Sequence, residues 1–371
     1  MRVLVVNAGS SSLKLRLLGD DDRVVLAEDL GGENGVFDWA RVEGIVVPVA
    51  EQVDAVGHRV VHGGDRFTGP VRLTPDVERA LAELVDLAPL HQEAALAGID
   101  AMARLLPAVP QVASFDTAFH RTMPAEASTY AVPLEWRTRF GLRRFGFHGL
   151  SHAYASRRAA QLLDRPVESL RLATCHLGSG ASVTAVASGR SVDTTMGFTP
   201  LEGLVMATRS GSVDPGMLLW LIRDRGLSVE EVGEAVEHRS GLAALAGTAD
   251  MAAVVEAAAG DELAELGLAV YVHHLGAAIA AMAAAMGGVD AVTFTGGVGE
   301  NSAEVRARVA RRLVFFGIEI DQAENRTPTL DADLSTPGST VKAVVLRARE
   351  DLQISGEVRA TLEGEPGGGA P

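Results

Sequence analysis

Side chains that could carry chemistry stand beside glycine-rich turns in this sequence. Arg59 lies in "GHRVVHGG", Asp116 in "FDTAFH", His148 in "FGFHGLSH" and Arg209 in "ATRSGS". Each alone is ambiguous, because a lone arginine or histidine usually has a surface or structural role. Together they supply cations, a carboxylate and glycine-bounded loops. Such a set suits phosphoryl transfer, which depends on positioning and charge neutralisation.

A serine-rich turn near the N-terminus offers a second group of this kind. The stretch "VLVVNAGSSSLKLRLL" places Asn7 and Lys14 on either side of the serines. It lacks the second glycine and the helix of a P-loop. One interpretation is a hairpin bend that holds a phosphate chain with its Mg²⁺ through Lys14, hydroxyls and backbone N–H groups. The other is a solvated turn, and this stretch alone leaves both open.

The elements that must position these residues alternate between strands and helices. Residues 3–6 form a buried strand, and "LKLRL" after the serines alternates with period two, which predicts a β-hairpin. Residues 172–177, "GSG" and 181–187 repeat this arrangement. The repetition favours two related domains.

Two further patterns predict where helices begin. A strand over 53–62 ends at Gly63-Gly64, and Thr74-Pro75 then opens a helix as N-cap and first residue. A strand over 291–295 runs into "GGVGENS" and a second helix, with Asn301 as its N-cap. The apolar residues expected on the inner faces are Leu81, Leu84 and Val85 in the first helix, and Val305, Val309 and Leu313 in the second.

Composition limits the classes of function. A chain of 371 residues favours two domains, and its net charge of −15 argues against nucleic-acid or anionic-membrane partners. One cysteine, Cys175, and no secretory signal favour a reducing, cytoplasmic setting. The stretch 266–286 is rich in alanine and glycine, which favours a buried helix or a subunit contact over a membrane span. The tail, 364–371, is expected to be disordered.

The motifs taken together resemble one family. "VVNAGSSSLK", "GHRVVHGG", "FDTAFH", "FGFHGLSH", "HLGSGASV", "DTTMGFTPLEGLVMATRSG" and "FTGGVGENS" closely resemble the acetate kinase (acetokinase) family, in order and over nearly the whole chain. The resemblance implies an α/β, two-domain actin-like ATPase fold of the acetate and sugar kinase superfamily. Duplicated ribonuclease-H-like domains would then flank a nucleotide cleft. The expected domains are 1–117 with 350–363, and 118–349.

The resemblance also implies an activity. ATP and acetate would give ADP and acetyl phosphate, reversibly, with Mg²⁺ or alternatively Mn²⁺, in a cytoplasmic homodimer. A short-chain acyl kinase that prefers propionate and a nucleotide-binding protein without activity are the alternatives. The second would be expected to lose Arg59, Asp116 or Arg209, and all are present.

Family roles map onto this sequence residue by residue. Acetate is already a carboxylate at neutral pH, so Asp116 is expected to orient groups or link to the metal more than to act as a base. The resemblance gives the catalytic residues as Asp116, His148 and Arg209, the acetate site as Arg59, Val61, Leu90, Phe147 and Pro200, the metal ligands as Asn7 and Glu350, and the ATP contacts as Lys14, His176, Leu177, Gly178, Ser179, Gly180, Asp250, Met251, Ala252, Gly297, Val298, Gly299, Glu300 and Asn301.

The sequence departs from the family pattern at several positions. Ser179 and Ala252 replace an asparagine and an arginine that are usual there, "QEAA" follows "APLH", and "AREDL" surrounds Glu350.

"GGVGENS" is only a partial dinucleotide fingerprint, because Ser302 replaces its third glycine. The histidine pairs 58/62 and 148/152 have a zinc-like spacing, but structural roles are favoured for His62 and His152. A G-x-S-x-G elbow is absent from the sequence.

Overall fold

Two six-stranded sheets organise the chain in this computed structural model, and each lies in its own compact unit. The structure describes residues 1–9, 12–32, 35–87 and 89–364, without the side chains of residues 87 and 89–91. The first unit comprises 1–121, 147–154 and 349–371, and the second comprises 122–146 and 155–348. Because compactness alone does not show independent folding, the domain limits inferred from the sequence stay a prediction.

The strands follow the expected hairpins closely. Branched and leucine side chains fill both faces of β1 and alternate along β2, as buried strands require. Within the described residues the strands are β1 Val3–Ala8, β2 Ser12–Leu18, β3 Val24–Gly31, β4 Ala55–Val60, β5 Val71–Arg72, β6 Gln111–Phe115, β7 Arg171–Leu177, β8 Ala181–Ala187, β9 Arg190–Thr194, β10 Ala291–Thr295, β11 Ala332–Asp333 and β12 Lys342–Val345.

Side-chain caps begin many of the helices. Asp250 and Asp261, for example, accept backbone N–H groups of the helices that follow them. The helices are α1 Trp39–Val46, α2 Pro75–Ala82, α3 Pro89–Leu105, α4 Ala125–Ser128, α5 Leu134–Phe140, α6 Gly149–Leu162, α7 Pro215–Arg225, α8 Val229–His238, α9 Gly241–Ala246, α10 Met251–Ala257, α11 Glu262–Ala285, α12 Gly296–Asn301, α13 Ala303–Arg312, α14 Gln322–Arg326 and α15 Glu350–Glu363.

The two sheets have the same strand order. In the first, β3-β2-β1 form an antiparallel meander, β1, β4 and β6 are parallel, and β5 pairs antiparallel at the edge. In the second, β9-β8-β7, then β10 and β12, then β11 repeat this pattern. The repetition confirms the predicted pair of related α/β domains.

Helix packing in the first unit places the start of α15 at one sheet edge. Ile354 and Val358 of α15 pack on the face of β1 and β4 that also buries Val3 and Val5. At Gly57 the helix lies so close that a Cβ would be 2.6 Å from the Ile354 Cγ2 atom. Because the helix must contact the sheet here, its first residue, Glu350, lies near the carboxyl ends of β1 and β4.

The long helix α11 is the core helix of the second unit. It packs against β7, β8 and β9 and buries Leu268, Leu275 and Ile279. Its mean hydropathy reaches 1.6 over an 18-residue window, enough to span a membrane by length and composition, and 44% of that window is buried inside the protein. Cys175 is buried in β7, facing this core.

The structure corrects two helix predictions. Asn301 is not the N-cap of α13, because residues 296–301 already form α12 and the Ser302 hydroxyl accepts the Val305 N–H. Thr74 does cap α2, but the helix ends at Ala82, so Leu84 and Val85 follow it. Val305, Val309 and Leu313 are buried as expected. Of the tail expected to be disordered, residues 365–371 lie outside the described residues.

Candidate active site

A cluster of charged and polar side chains joins Asn7, Arg59, Asp116 and Glu350 in the first unit. Arg59 donates from Nε to Asp116 Oδ1 at 3.2 Å and from Nη2 to Oδ2 at 2.6 Å. It also donates from Nη1 to Asn7 Oδ1 at 3.3 Å and lies 3.9 Å from Glu350 Oε2. Asn7 Nδ2 donates to that same Glu350 oxygen at 3.0 Å. The sequence-predicted metal, substrate and catalytic positions therefore meet in one network.

Strand order explains why these distant residues meet. Asn7 lies near the carboxyl end of β1, Arg59 near that of β4, and Asp116 directly follows β6. These strands are neighbours and parallel, so their carboxyl ends share one edge, where α/β sheets place ligand sites. Glu350 reaches the same edge as the first residue of α15.

The electrostatics of the cluster are those of one guanidinium shared by two carboxylates. Burial raises the pKa of Asp116, the Arg59 guanidinium opposes that rise, and the nearby Glu350 carboxylate adds to it. Burial disfavours the charge on Arg59, yet both carboxylates raise its pKa above the ordinary value. Arg59 is therefore cationic and already paired.

His148 joins this cluster through its backbone. Its N–H donates to the Asp116 carboxylate, which lowers the pKa of that group. Its φ of 56° lies in the left-handed region, which is uncommon for a residue with a side chain and concentrates at functional sites. His148 immediately precedes α6, so the conformation of this turn sets the position of its imidazole.

Two of the apolar residues predicted for the acyl pocket are buried in the first unit. Val61 and Phe147 are buried, and the rings of His62 and Phe147 meet edge to face at 5.4 Å. The Nε2–H of His120 donates to the Phe147 carbonyl at 2.9 Å. His62 and His152 are both fully buried, in line with structural roles. The side chain of Leu90 lies outside the described residues.

The first hairpin presents Lys14 to solvent. Lys14 lies opposite Asn7 in the register of β1 and β2 and is exposed. The Gly9 N–H donates to the Ser12 carbonyl at 2.9 Å, which closes the turn. Serines 10 and 11 lie outside the described residues. Within the described part of the chain, no ion pair involves the Lys14 amine.

In the second unit, Arg209 lies in a loop that contacts the second hairpin. We call residues 196–212 the arginine loop. The Ala207 N–H donates to the carbonyl of Ser179, an exposed residue of the "HLGSG" turn, at 3.1 Å. Arg209 Nη1 donates to the Pro200 carbonyl at 3.3 Å. The structure thus brings Arg209, Pro200 and residues 176–180 together.

Arg209 differs from Arg59 in its partners. It is partly buried, and burial lowers its pKa, while Glu237 acts in the opposite direction. Among the described residues, no carboxylate forms an ion pair with its guanidinium. A desolvated cation without a paired carboxylate is suited to attract an anion.

The remaining predicted ATP contacts form two short segments. Asp250 caps α10 through the Ala252 N–H at 3.0 Å, Met251 is buried and Ala252 is exposed. In α12, Gly297 and Asn301 lie on the exposed side, whereas Gly299 is buried and Val298 is partly buried. The Asn301 amide donates to the Gly297 carbonyl at 2.8 Å.

Two residues that hold α12 show contacts that sequence reasoning did not predict. Glu300 was predicted as an ATP contact, but its Oε1 accepts the Gly296 N–H at 3.1 Å and the Ala348 N–H at 2.8 Å. Arg306 was not predicted at all; it is fully buried and donates to the carbonyls of Gly299 and Glu300 at 2.7 and 2.9 Å. Arg306 follows the end of α12 by five residues, and an arginine shortly after a helix end is the available signal for such a contact.

The side-chain oxygen atoms of Glu350 and Asn7 are of the kind that bind Mg²⁺ in proteins. Glu350 offers a carboxylate and Asn7 an amide oxygen, and Mg²⁺ is commonly held by one or two carboxylates plus substrate phosphates. The described residues contain no group of three or more His, Cys, Asp or Glu side chains that could hold a metal by themselves.

The repeated α/β fold and the site define a phosphotransferase of duplicated architecture. The acetokinase family model matches residues 36–356. Acetate kinases of a Synechococcus species and of Deinococcus radiodurans are 44% and 46% identical, each covering 98% of this chain and 100% and 99% of their own lengths. The chain belongs to the acetokinase family.

Solved structures agree with this assignment. The acetate kinase of Porphyromonas gingivalis superposes with a TM-score of 0.89 at 36% identity, over 97% of this chain and 99% of that one. A propionate kinase from Francisella tularensis gives a TM-score of 0.88 at 34% identity, over 96% and 99%. The fold predicted from the motifs is confirmed.

Proposed function

We propose that this chain transfers the γ-phosphoryl group of ATP to acetate. The observation that carries the proposal is the Arg59 network with Asp116, Asn7 and Glu350 at one sheet edge. Family membership and the acetate kinases among its relatives support it. In this proposal Arg59 binds the acetate carboxylate, and Val61 and Phe147 contact its methyl group.

The reaction requires bond exchange at phosphorus and no proton transfer. A carboxylate oxygen of acetate bonds to the γ-phosphorus, and the bond from that phosphorus to the bridging oxygen of ADP breaks. Acetate is ionised at neutral pH, so Asp116 need not remove a proton. Asp116 instead orients Arg59 through both guanidinium contacts. Arg209 and His148 are proposed to neutralise charge on the transferring group.

The ATP contacts and the metal follow the family roles. Lys14, the "HLGSG" turn, residues 250–252 and residues 297–301 are proposed to bind the nucleotide, although the Glu300 carboxylate already holds backbone N–H groups. Asn7 and Glu350 would hold Mg²⁺, or alternatively Mn²⁺. The ion would offset the repulsion between the phosphates and the acetate. A homodimer and a cytoplasmic location stay predictions.

The proposal is tested by incubating the protein with Mg-ATP and acetate, propionate or butyrate, and trapping acyl phosphate with hydroxylamine. We expect product with acetate and equal release of ADP, and none with EDTA or without acid. Product that is favoured with propionate would instead support a propionate kinase, as the resemblance to the Francisella protein allows. No acyl phosphate with any acid would refute the proposal.

A further inference from the structure

The position of the Arg209 guanidinium depends on the shape of the arginine loop. The Gly203 N–H donates to Ser212 Oγ at 3.1 Å and the Ser212 N–H donates to the Gly203 carbonyl at 3.0 Å, which joins the two sides of the loop. Arg209 then donates to the Pro200 carbonyl at 3.3 Å. A shift of the segment around Pro200 would therefore move the acceptor that holds the guanidinium.

That segment is held by Tyr130, Arg144 and Glu202, which we call the clamp. The Tyr130 hydroxyl donates to Glu202 Oε2 at 2.5 Å and accepts the Phe198 N–H at 2.8 Å. Arg144 Nη2 donates to Glu202 Oε1 at 2.6 Å. Two side chains from residues 122–146 thus bind the one carboxylate of the loop.

Arg144 also binds the backbone that enters the loop. Its Nη1 lies 3.2, 3.1 and 3.0 Å from the carbonyl oxygens of Thr194, Thr195 and Met196. A Cβ on Gly197 would overlap the Glu202 carboxylate and the Tyr130 hydroxyl. The clamp contacts therefore require glycine at position 197. Burial and the Glu202 contact raise the pKa of Tyr130, which keeps its proton available for donation.

We propose that Tyr130, Arg144 and Glu202 are positioning residues that set Pro200 and, through it, the Arg209 guanidinium for phosphoryl transfer. The proposal rests on the proposed function, since it gives Arg209 its task. The fold does not depend on the Tyr130 hydroxyl alone, because the Gly197 carbonyl separately accepts the N–H groups of Phe145 and Gly146 at 3.1 and 3.2 Å. Losing that hydroxyl should disturb the loop and leave the unit folded.

The test is Tyr130→Phe, with Tyr271→Phe as its matched control. The Tyr271 hydroxyl is buried and has no hydrogen-bond partner among the described residues. We expect Tyr130→Phe to lower kcat about tenfold, the size of one hydrogen bond to a charged group, with the KM for ATP close to wild type and Tm lower by at most a few degrees. Tyr271→Phe should match wild type in all three. Unchanged kcat in Tyr130→Phe would overturn the proposal.

A double variant shows whether the clamp acts through Arg209. In an Arg209→Ala background, Tyr130→Phe should cause no further loss, because the group it positions is gone. The same tenfold loss with and without Arg209 would overturn the proposal. Should Tyr130→Phe lower Tm markedly, Glu202→Gln, which keeps the side-chain length, provides the same comparison.

Hydrogen exchange separates this inference from the proposed activity. Amides of residues 196–210 should exchange faster in Tyr130→Phe than in Tyr271→Phe, whatever reaction the enzyme catalyses. Unchanged exchange would refute the clamp. An inactive wild-type protein whose loop still responds to Tyr130→Phe would refute the proposed function and leave the clamp supported.

Discussion

The two units have the same strand order but hold their candidate site arginines with different partners. In the first, Arg59 is bound by Asp116 and lies near Glu350, so its charge is paired within the protein. In the second, Arg209 donates to the Pro200 carbonyl, and no carboxylate in the described part of the chain forms an ion pair with it. One scaffold therefore holds an arginine paired directly with a carboxylate and an arginine that forms no direct ion pair among the described residues.

The two hairpins differ in the charge that they carry near the turn. In the first, Lys14 lies opposite Asn7 and is exposed. In the second, Ser182 lies opposite His176 and is fully buried, and the turn beyond them consists of glycine and serine. The first hairpin thus offers a cation, whereas the turn of the second carries no charged side chain, and its Gly178 N–H donates to the Gly180 carbonyl at 3.0 Å.

This contrast indicates a division of labour between binding and catalysis. Carboxylates already hold Arg59 in one orientation. Binding of a substrate by this side chain therefore costs little further conformational entropy. An arginine without a direct ion pair, in a partly desolvated position, can respond to charge that develops during the reaction. We therefore propose that Arg59 binds acetate and that Arg209 stabilises the transition state.

The largest expected difference between the units is their response to acid. His58, His62 and His120 are buried in the first unit, and burial lowers the pKa of each to about 4. The unfolded chain therefore binds more protons below pH 6.5, and stability falls as pH falls. Between pH 6.5 and pH 5 each histidine should lower the free energy of unfolding by about 2 kcal/mol.

Hydrogen exchange at about pH 7 and about pH 5, corrected for intrinsic rates, would measure this loss of stability. Amides of the first sheet should lose more protection than those of the second. The second unit serves as an internal reference, because His274 in α11 is exposed, and its pKa is lowered only by partial desolvation and by the neighbouring His273. Equal loss of protection in both sheets would show that the buried histidines do not distinguish the units.

A change in the KM for ATP, smaller than the effect of acid on stability, should distinguish the two hairpins. Lys14→Ala removes the cation of the first turn and should raise the KM for ATP about tenfold, the size of one charge-assisted hydrogen bond. Ser179→Ala should change it less than about threefold, because the backbone N–H groups of that turn remain. Lys342→Ala is the matched control, since Lys342 is the other lysine of the chain and pairs with Asp333 at 3.2 Å. A Ser179→Ala effect as large as that of Lys14→Ala would contradict the contrast.

Local patterns predicted the scaffold well. The hairpins, the strands that end in glycine turns and the Thr74 cap depend on neighbouring residues, so period-two alternation and capping chemistry are sufficient to find them. The N-cap after β10 was wrong because Asn301 and Ser302 are both good caps, and only the structure shows that α12 already includes Asn301.

Long-range pairing could not be predicted in this way. The Arg59–Asp116 pair joins residues 57 positions apart, and the Tyr130–Glu202 bond joins residues 72 positions apart. Family resemblance supplied the roles of Arg59 and Asp116, but not their mutual contact. Tyr130 lies outside the glycine-rich motifs and Arg144 directly precedes "FGFHGLSH", and their contribution follows only from the folded geometry.

The most direct test of the central claim compares Arg59→Lys with Arg209→Ala in steady-state kinetics, with exposed Arg311→Ala as control. We expect Arg209→Ala to lower kcat about 10³-fold, typical of an arginine that stabilises a transferring phosphoryl group, with the KM for acetate within about threefold. Arg59→Lys, which loses the guanidinium fork, should mainly raise the KM for acetate. Near-normal turnover in Arg209→Ala, or a loss confined to its acetate KM, would contradict the assignment.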